Sequence, residues 1–423
     1  MHDPLAALLT PEGQALLAEL RDHSPADELA LATRLRRDHP AALVSAALGQ
    51  ARLRQRAAAK FGADAARMYF TTDGVEQATR AAVAAHRAAR FAALGVTRVA
   101  DLCCGVGGDA VALARAGIAV LAVDRDPAAV AAARANAAAL GVAELVDVRC
   151  AEVGDADISG YDAVFIDPAR RIGGGAPARR IGGGAPARRI GGGAPGGRGR
   201  VFDPEAYSPP LSWAVEVAGR VSHAALKVAP GIPHEAVPDA AEAEWVSDAG
   251  DVKEAVLWFG AAPDAVSPGV RRATLLPAGA TLAGRGLPDP APGPVGRYLY
   301  EPDGAVIRAH LVAEVAEQVG GRLLDATIAY VTADDRTETP FATAYEITDV
   351  LPFHVKRLRA LLRERGVGSV TVKKRGSAVE PEELRRRLKL TGPTTVSCTV
   401  FLTRVDGAPT VLLARPAGPD PAT

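Results

Sequence analysis

Three stretches carry residues that could do chemistry on a bound small molecule. In VADLCCGVGGDAVALARAG, Asp101 stands four positions before a turn made by Gly105, Gly107 and Gly108. Glycines let backbone approach a ligand closely, and a helix after such a turn offers unpaired amides to an anionic group. In IAVLAVD, an apolar run ends in Asp124, placed to accept hydrogen bonds from ribose hydroxyls. In YDAVFIDPAR, another ends in Asp167-Pro168, where a transferase would meet its acceptor. Gly105-x-Gly107-x-x-Ala110 also fits a dinucleotide fingerprint, so a nicotinamide enzyme stays open, as does a bland reading in which Asp101 and Asp124 only cap loops. An acid at Asp101 suits a ligand with an amino-acid ammonium better than a pyrophosphate.

These residues need strand ends to hold them. VTRVADLCC, IAVLAVD, LVDVRC and YDAVFID read as strands, and DAVALARAG and PAAVAAARANAAALG as helices between them. Such alternation predicts an α/β, Rossmann-like, doubly wound parallel sheet. LSWAVEVAGRV then reads as a helix, and AALKVA, AEWVS and VKEAVLWFG as strands that finish the sheet by about residue 261. Residues 4–92 show apolar spacing typical of amphipathic helices, the last of them opened by an Asp73 cap with Glu76 completing a capping box. The Pro- and Gly-rich segment 262–297 reads as an irregular connection or extended arm. Beyond it a mixed α/β pattern resumes. The expected organisation is an N-terminal helical region (1–92), a catalytic domain (93–261) with an Arg/Gly insert (169–200), a connecting region (262–340) and a C-terminal α/β domain (341–415).

Bulk composition narrows the classes. With 423 residues, 48% hydrophobic and 23% charged, the chain is globular rather than disordered. Lys plus Arg equals Asp plus Glu at 49 each, so net charge names no partner. The four cysteines lack CxxC spacing and nearby histidines, which excludes a metal site or disulfide framework and suits a reducing, cytoplasmic setting. The opening MHDPLAALLTPEGQ carries no signal-peptide pattern, and no apolar run approaches the ~20 residues of a membrane span.

Two local features stand out against that balance. Residues 355–390 hold twelve basic residues against four acidic ones, among them Lys373, Lys374 and Arg375; this reads as a phosphate-backbone footprint or as a solvated helix face. The nonapeptide ARRIGGGAP is written three times in succession, and residues 169–200 contain eight arginines and no acid. Arg and Gly together can tether RNA. Perfect tandem identity favours a tolerated duplication instead, because long insertions cost little in closure entropy.

DLCCGVGGD, AVDRD and FIDPAR together resemble a class I S-adenosylmethionine-dependent methyltransferase. The Cys-Gly-Val-Gly-Gly core and the lead-in KFGADAARMYFTTDGVEQAT are similar to the trimethylguanosine synthase type, a group acting on RNA cap guanine N2. YLYEPDGAVIRAHLV, LPFHVKRLRALLRERGVGSVTVKKRG and LRRRLKLTG resemble the THUMP-like domain of a bacterial methyltransferase family; THUMP-type modules are associated with structured RNA. The resemblance implies S-adenosylmethionine as cofactor, its methionine part held by Asp101, Gly105 and Gly107 in a loop that includes Cys103. It implies Asp124, with Arg125 beside it, at the ribose, and Glu152 at the adenine, although Glu152 also reads as an exposed loop carboxylate.

Asp167 and Pro168 would meet the acceptor, with Asp167 also bordering the cofactor. No cysteine neighbours them, and Cys103 and Cys104 read as packing, so direct transfer to a purine nitrogen of tRNA or rRNA is expected. Asp167 would orient the amine. The family's amino-methyltransferases commonly place an aromatic after Asp-Pro-Pro, whereas Ala169 and Arg170 follow here. Stacking then falls to Phe202 or Tyr207, and Arg170 could hold a phosphate. A methyltransferase of a small molecule or protein, or a non-catalytic RNA-binding protein, remain the alternatives.

Overall fold

The computed structural model describes residues 4–24, 27–169, 203–260 and 267–418. The chain divides into two compact units, one drawn from residues 1–242 and 254–269 and the other from 243–253 and 270–423.

The first unit opens with six helices: α1 (Pro4–Leu8), α2 (Pro11–Glu19), α3 (Glu28–Leu35), α4 (Ala41–Phe61), α5 (Thr72–Gln77) and α6 (Ala81–Ala93). On α4 the buried residues Leu43, Val44, Ala47, Leu48 and Ala51 fall at helical spacing on one face, which packs into the N-terminal core. The expected cap at Asp73 is corrected. Thr71, with extended backbone, caps α5 by accepting from the Gly74 amide at 3.0 Å, and Asp73 lies inside the first turn. Only a residue outside the helical dihedrals can turn its side chain back onto free amides.

The sheet that follows alternates with helices as the sequence pattern implies: β1 (Arg98–Leu102), α7 (Gly108–Arg115), β2 (Ala119–Asp124), α8 (Pro127–Ala139), β3 (Val146–Cys150), β4 (Ala163–Ile166), α9 (Leu211–Ala218) and β5 (His223–Val228). Strand order runs β3-β2-β1-β4-β5, all parallel. After β6 (Glu242–Asp248), β7 (Asp251–Gly260) lies antiparallel on β5. Val99, Val120, Ala163, Phe165 and Ala225 carry the apolar strand faces into one core, closed by Phe91 and Trp258 with ring centroids 5.2 Å apart.

In the second unit β6 pairs with β8 (Arg271–Leu276), and β8 with β9 (Ala280–Ala283). These strands lie inside the segment expected to be irregular. Its prolines and glycines include the Pro277–Gly279 turn that makes β8 and β9 a hairpin, so composition hid a short pairing. Then come β10 (Tyr298–Pro302), α10 (Gly304–Arg308), α11 (Val312–Gln318), β11 (Arg322–Asp325), β12 (Ile328–Ala333), β13 (Ala342–Pro352), α12 (Val355–Glu364), β14 (Ser369–Lys374), α13 (Pro381–Leu388), β15 (Ser397–Val405) and β16 (Ala408–Pro416). They build a seven-stranded sheet ordered β11-β12-β10-β13-β16-β15-β14. No helix of the described residues is long and apolar enough to cross a membrane.

Candidate functional site

Because β1 to β5 run parallel, their C-terminal ends share one edge, and the three predicted acids gather there. Asp101 is the penultimate residue of β1, in register with Ala122 and Phe165; Asp124 ends β2; Asp167 follows β4 directly. Asp101 is fully buried, and neither carboxylate oxygen has a hydrogen-bond partner among the described residues. Burial, reinforced by the nearby charges of Asp109 and Asp167, pushes its carboxyl well above the ordinary carboxylate range. A buried acid with no donor is a socket for a cationic or hydrogen-donating ligand group.

The loop between β1 and α7 is held in a conformation few residues adopt. Cys103, Gly105 and Gly107 all have positive φ, 71°, 55° and 79°. A side chain at Gly107 would also put its Cβ 3.1 Å from Cβ of Ala133 on α8, so glycine is required twice over there. A non-glycine residue in the left-handed region costs on the order of 1 kcal/mol, and Cys103 bears that strain at the site itself. Burial raises both the Cys103 and Cys104 thiols, which keeps them protonated and unsuited to nucleophilic attack.

Asp124 pins this loop. Its Oδ2 accepts from the Gly105 amide and its Oδ1 from the Asp126 amide, both at 2.9 Å. Each oxygen keeps a second lone pair, and the half-buried side chain can still receive hydroxyl donors. Arg125 and Glu152 are exposed, on the turns after β2 and β3. The orphaned Asp101, the glycine turn and the partly engaged Asp124 fit a ligand with an ammonium at one end and a ribose at the other.

Behind the loop, Asn136 of α8 is fully buried and makes three hydrogen bonds. It accepts from the Tyr69 amide at 2.6 Å and donates to Tyr69 O at 3.0 Å and Val106 O at 2.8 Å. The N-terminal helical region is thereby fastened to the glycine loop.

Around Asp167 the structure adds residues that the sequence reading did not single out. Asp167 Oδ2 accepts from Lys227 Nζ of β5 at 2.6 Å, and the same ammonium donates to Thr79 Oγ1 at 2.8 Å. Lys227 Nζ also lies 4.0 Å from Glu254 Oε2. Glu254 pairs with Arg87 of α6, which pairs in turn with Asp109 of α7. Burial alone would lower the Arg87 guanidinium, but these carboxylates override it and raise the group further. The available signal was charge set in an apolar run, Lys227 in AALKVA and the Lys253-Glu254 pair in VKEAVLWFG.

Four residues expected at the substrate need revision. Tyr207 is 4% exposed and its hydroxyl accepts from the Ala229 amide, so it has no open ring face for a base to stack on. Lys373 pairs with Glu301 and lies 5.4 Å from the Tyr345 ring centroid; Lys374 pairs with Glu380 at 2.5 Å; Arg375 lies over Tyr330. These three cations are engaged within the second unit rather than presented to a phosphate. Arg359 and Arg363 likewise donate to the carbonyls of Arg387 and Lys389, where α13 ends. Arg170, Phe202 and all of the triplicated ARRIGGGAP but its first residue, Ala169, lie outside the described residues. The chain on either side of them is paired: Ala169 and Ser208 exchange both backbone hydrogen bonds, at 2.9 and 3.0 Å.

Comparison with known proteins agrees with this geometry. A family described as a methyltransferase domain matches residues 99–169, and a THUMP domain-like family matches residues 342–416. A domain of unknown function matches residues 2–57. Uncharacterized S-adenosylmethionine-dependent methyltransferases from two Mycobacterium tuberculosis strains are 33% identical over 365 residues, covering 84% of this chain and 90% of each relative. A crystal structure of a candidate methyltransferase from Porphyromonas gingivalis W83 shares the fold, with TM-score 0.72, 21% identity and 98% of both chains covered.

Proposed function

Because the chain belongs to the S-adenosylmethionine-dependent methyltransferases, we propose that it transfers the methyl group directly to a purine nitrogen in RNA. The convergence of Asp101, Asp124 and Asp167 on one sheet edge carries this reading. Asp101 would face the cofactor's ammonium, Gly105 and Gly107 would let the backbone close on its methionine part, and Asp124 would take its ribose. When bound, S-adenosylmethionine supplies an electrophilic methyl group on a sulfonium.

The remaining work falls to the protein's own groups. Lys227 occupies Asp167 Oδ2, and Oδ1 has no hydrogen bond among the described residues. That oxygen can accept from an exocyclic amine and turn the nitrogen lone pair toward the methyl group. Catalysis is then mainly alignment and exclusion of water. The protonated thiols of Cys103 and Cys104 support direct transfer over a covalent route.

The THUMP domain-like match supports RNA as the acceptor. So do Lys356, Arg357, Arg386 and Lys389, which are exposed and make no side-chain hydrogen bond or ion pair among the described residues. The deciding experiment is incubation with labelled S-adenosylmethionine and total RNA, followed by digestion to nucleosides. Label in a methylated guanosine or adenosine is expected. Asp124→Ala should weaken cofactor binding, whereas Asp167→Ala should spare binding and abolish turnover. Equal loss of binding in both would show the two roles misassigned, and label only in protein or small molecules would overturn RNA.

A further inference from the structure

Resting on this reading of Asp167, we propose that Lys227 and Thr79 are positioning residues for the transfer. They hold the Asp167 carboxylate in one orientation so that its second oxygen meets the acceptor. The Lys227 ammonium has three donors, and their directions are largely spoken for. One goes to Asp167 Oδ2 at 2.6 Å, one to Thr79 Oγ1 at 2.8 Å, and Glu254 Oε2 stands 4.0 Å away.

The lysine side chain is 4% exposed, so water cannot replace any of these partners, while the Asp167 side chain keeps 21% of its surface open. A carboxylate gripped at one oxygen by a buried cation cannot rotate without breaking that contact in a poorly solvated place. The cation is itself anchored, because Glu254 is tied to Arg87, and Arg87 to Asp109 at the start of α7. Thr79 lies in the short link between α5 and α6. The N-terminal helical region therefore contributes a side chain to the acceptor face, besides buttressing the cofactor loop through Tyr69.

The alternative is that Lys227 only neutralises buried carboxylates. The two roles differ in kcat, measured for transfer from labelled S-adenosylmethionine to total RNA, with cofactor affinity followed by calorimetry. If Lys227 acts through Asp167, Lys227→Met lowers kcat on the order of 100-fold while cofactor affinity holds. The Asp167→Asn/Lys227→Met double variant is then no slower than Asp167→Asn alone. Thr79→Val should cost about tenfold in kcat, and Thr79→Ser should restore it. Losses that multiply in the double variant, or an unchanged kcat in Lys227→Met, overturn the proposal. Should Lys227→Met fail to fold, the Thr79 pair decides: equal rates for Val and Ser sink it. An active wild type with multiplying losses removes this inference alone, whereas a wild type that transfers nothing to RNA removes the functional reading as well.

Discussion

Asp101→Asn should make the ligand-free protein more stable and the cofactor complex weaker. The carboxylate is fully buried, with no partner for either oxygen among the described residues. An unsatisfied buried polar group costs about 1–3 kcal/mol, more when charged, and the isosteric amide removes the charge without changing volume. A gain of that size corresponds to roughly 2–4 °C in Tm per kcal/mol for a unit this large. Against a bound ammonium the same change removes a charge-assisted hydrogen bond worth about 1.5–3 kcal/mol, or about 10–100-fold in Kd.

The pH dependence has a definite sign. Burial raises the Asp101 carboxyl, so its contribution to stability is fully present below the ordinary carboxylate range and is lost as pH rises through the folded-state value. The gap in Tm between Asp101→Asn and wild type should therefore close in acid and widen toward pH 8. Thermal melts across pH and calorimetry with S-adenosylmethionine measure both effects. A variant that melts below wild type at pH 8, or binds cofactor as tightly as wild type, would refute the proposed role of Asp101 toward a cationic group.

Two further outcomes follow from other parts of the structure. Arg87→Met strips a buried cation from Asp109 and Glu254 and should cost about 3–5 kcal/mol, read by denaturant unfolding; a loss under 1 kcal/mol would mean that the pairs contribute little. Deleting two of the three ARRIGGGAP copies should leave Tm and cofactor affinity unchanged, because Ala169 and Ser208 are already bridged and halving an intervening chain shifts closure by only about 0.6 kcal/mol. A fall of several degrees in Tm would contradict that.

The fold was readable because burial on both faces makes parallel strands near-continuous apolar runs, and the runs of β1, β2 and β4 end at an acid or a turn on one sheet edge. The strand-end positions of Asp101 and Asp124 were legible for that reason. Lys227, Thr79, Arg87 and Glu254 were not, since their meaning lies in contacts 22 to 167 residues apart along the chain. The C-terminal cations misled in the opposite direction. Counting charges cannot tell a lysine facing solvent from Lys373 paired with Glu301, nor an arginine seeking phosphate from Arg359 closing a helix end. The β8–β9 hairpin failed for a third reason, because its turn residues outweigh two short strands in any compositional window.

The Asn136 clamp also sets an order of events during synthesis. The amide and carbonyl of Tyr69 find their partners only on a side chain 67 residues further along. At about 5–20 residues per second, the ribosome needs roughly 3–13 s to cover that interval. Through that time the helices before Tyr69 can form and pack, but the segment that fastens them to the glycine loop waits with unpaired backbone groups. The N-terminal helices are thus made well before the residues that fasten them, and Thr79 and Arg87 wait longer still, for Lys227 and Glu254.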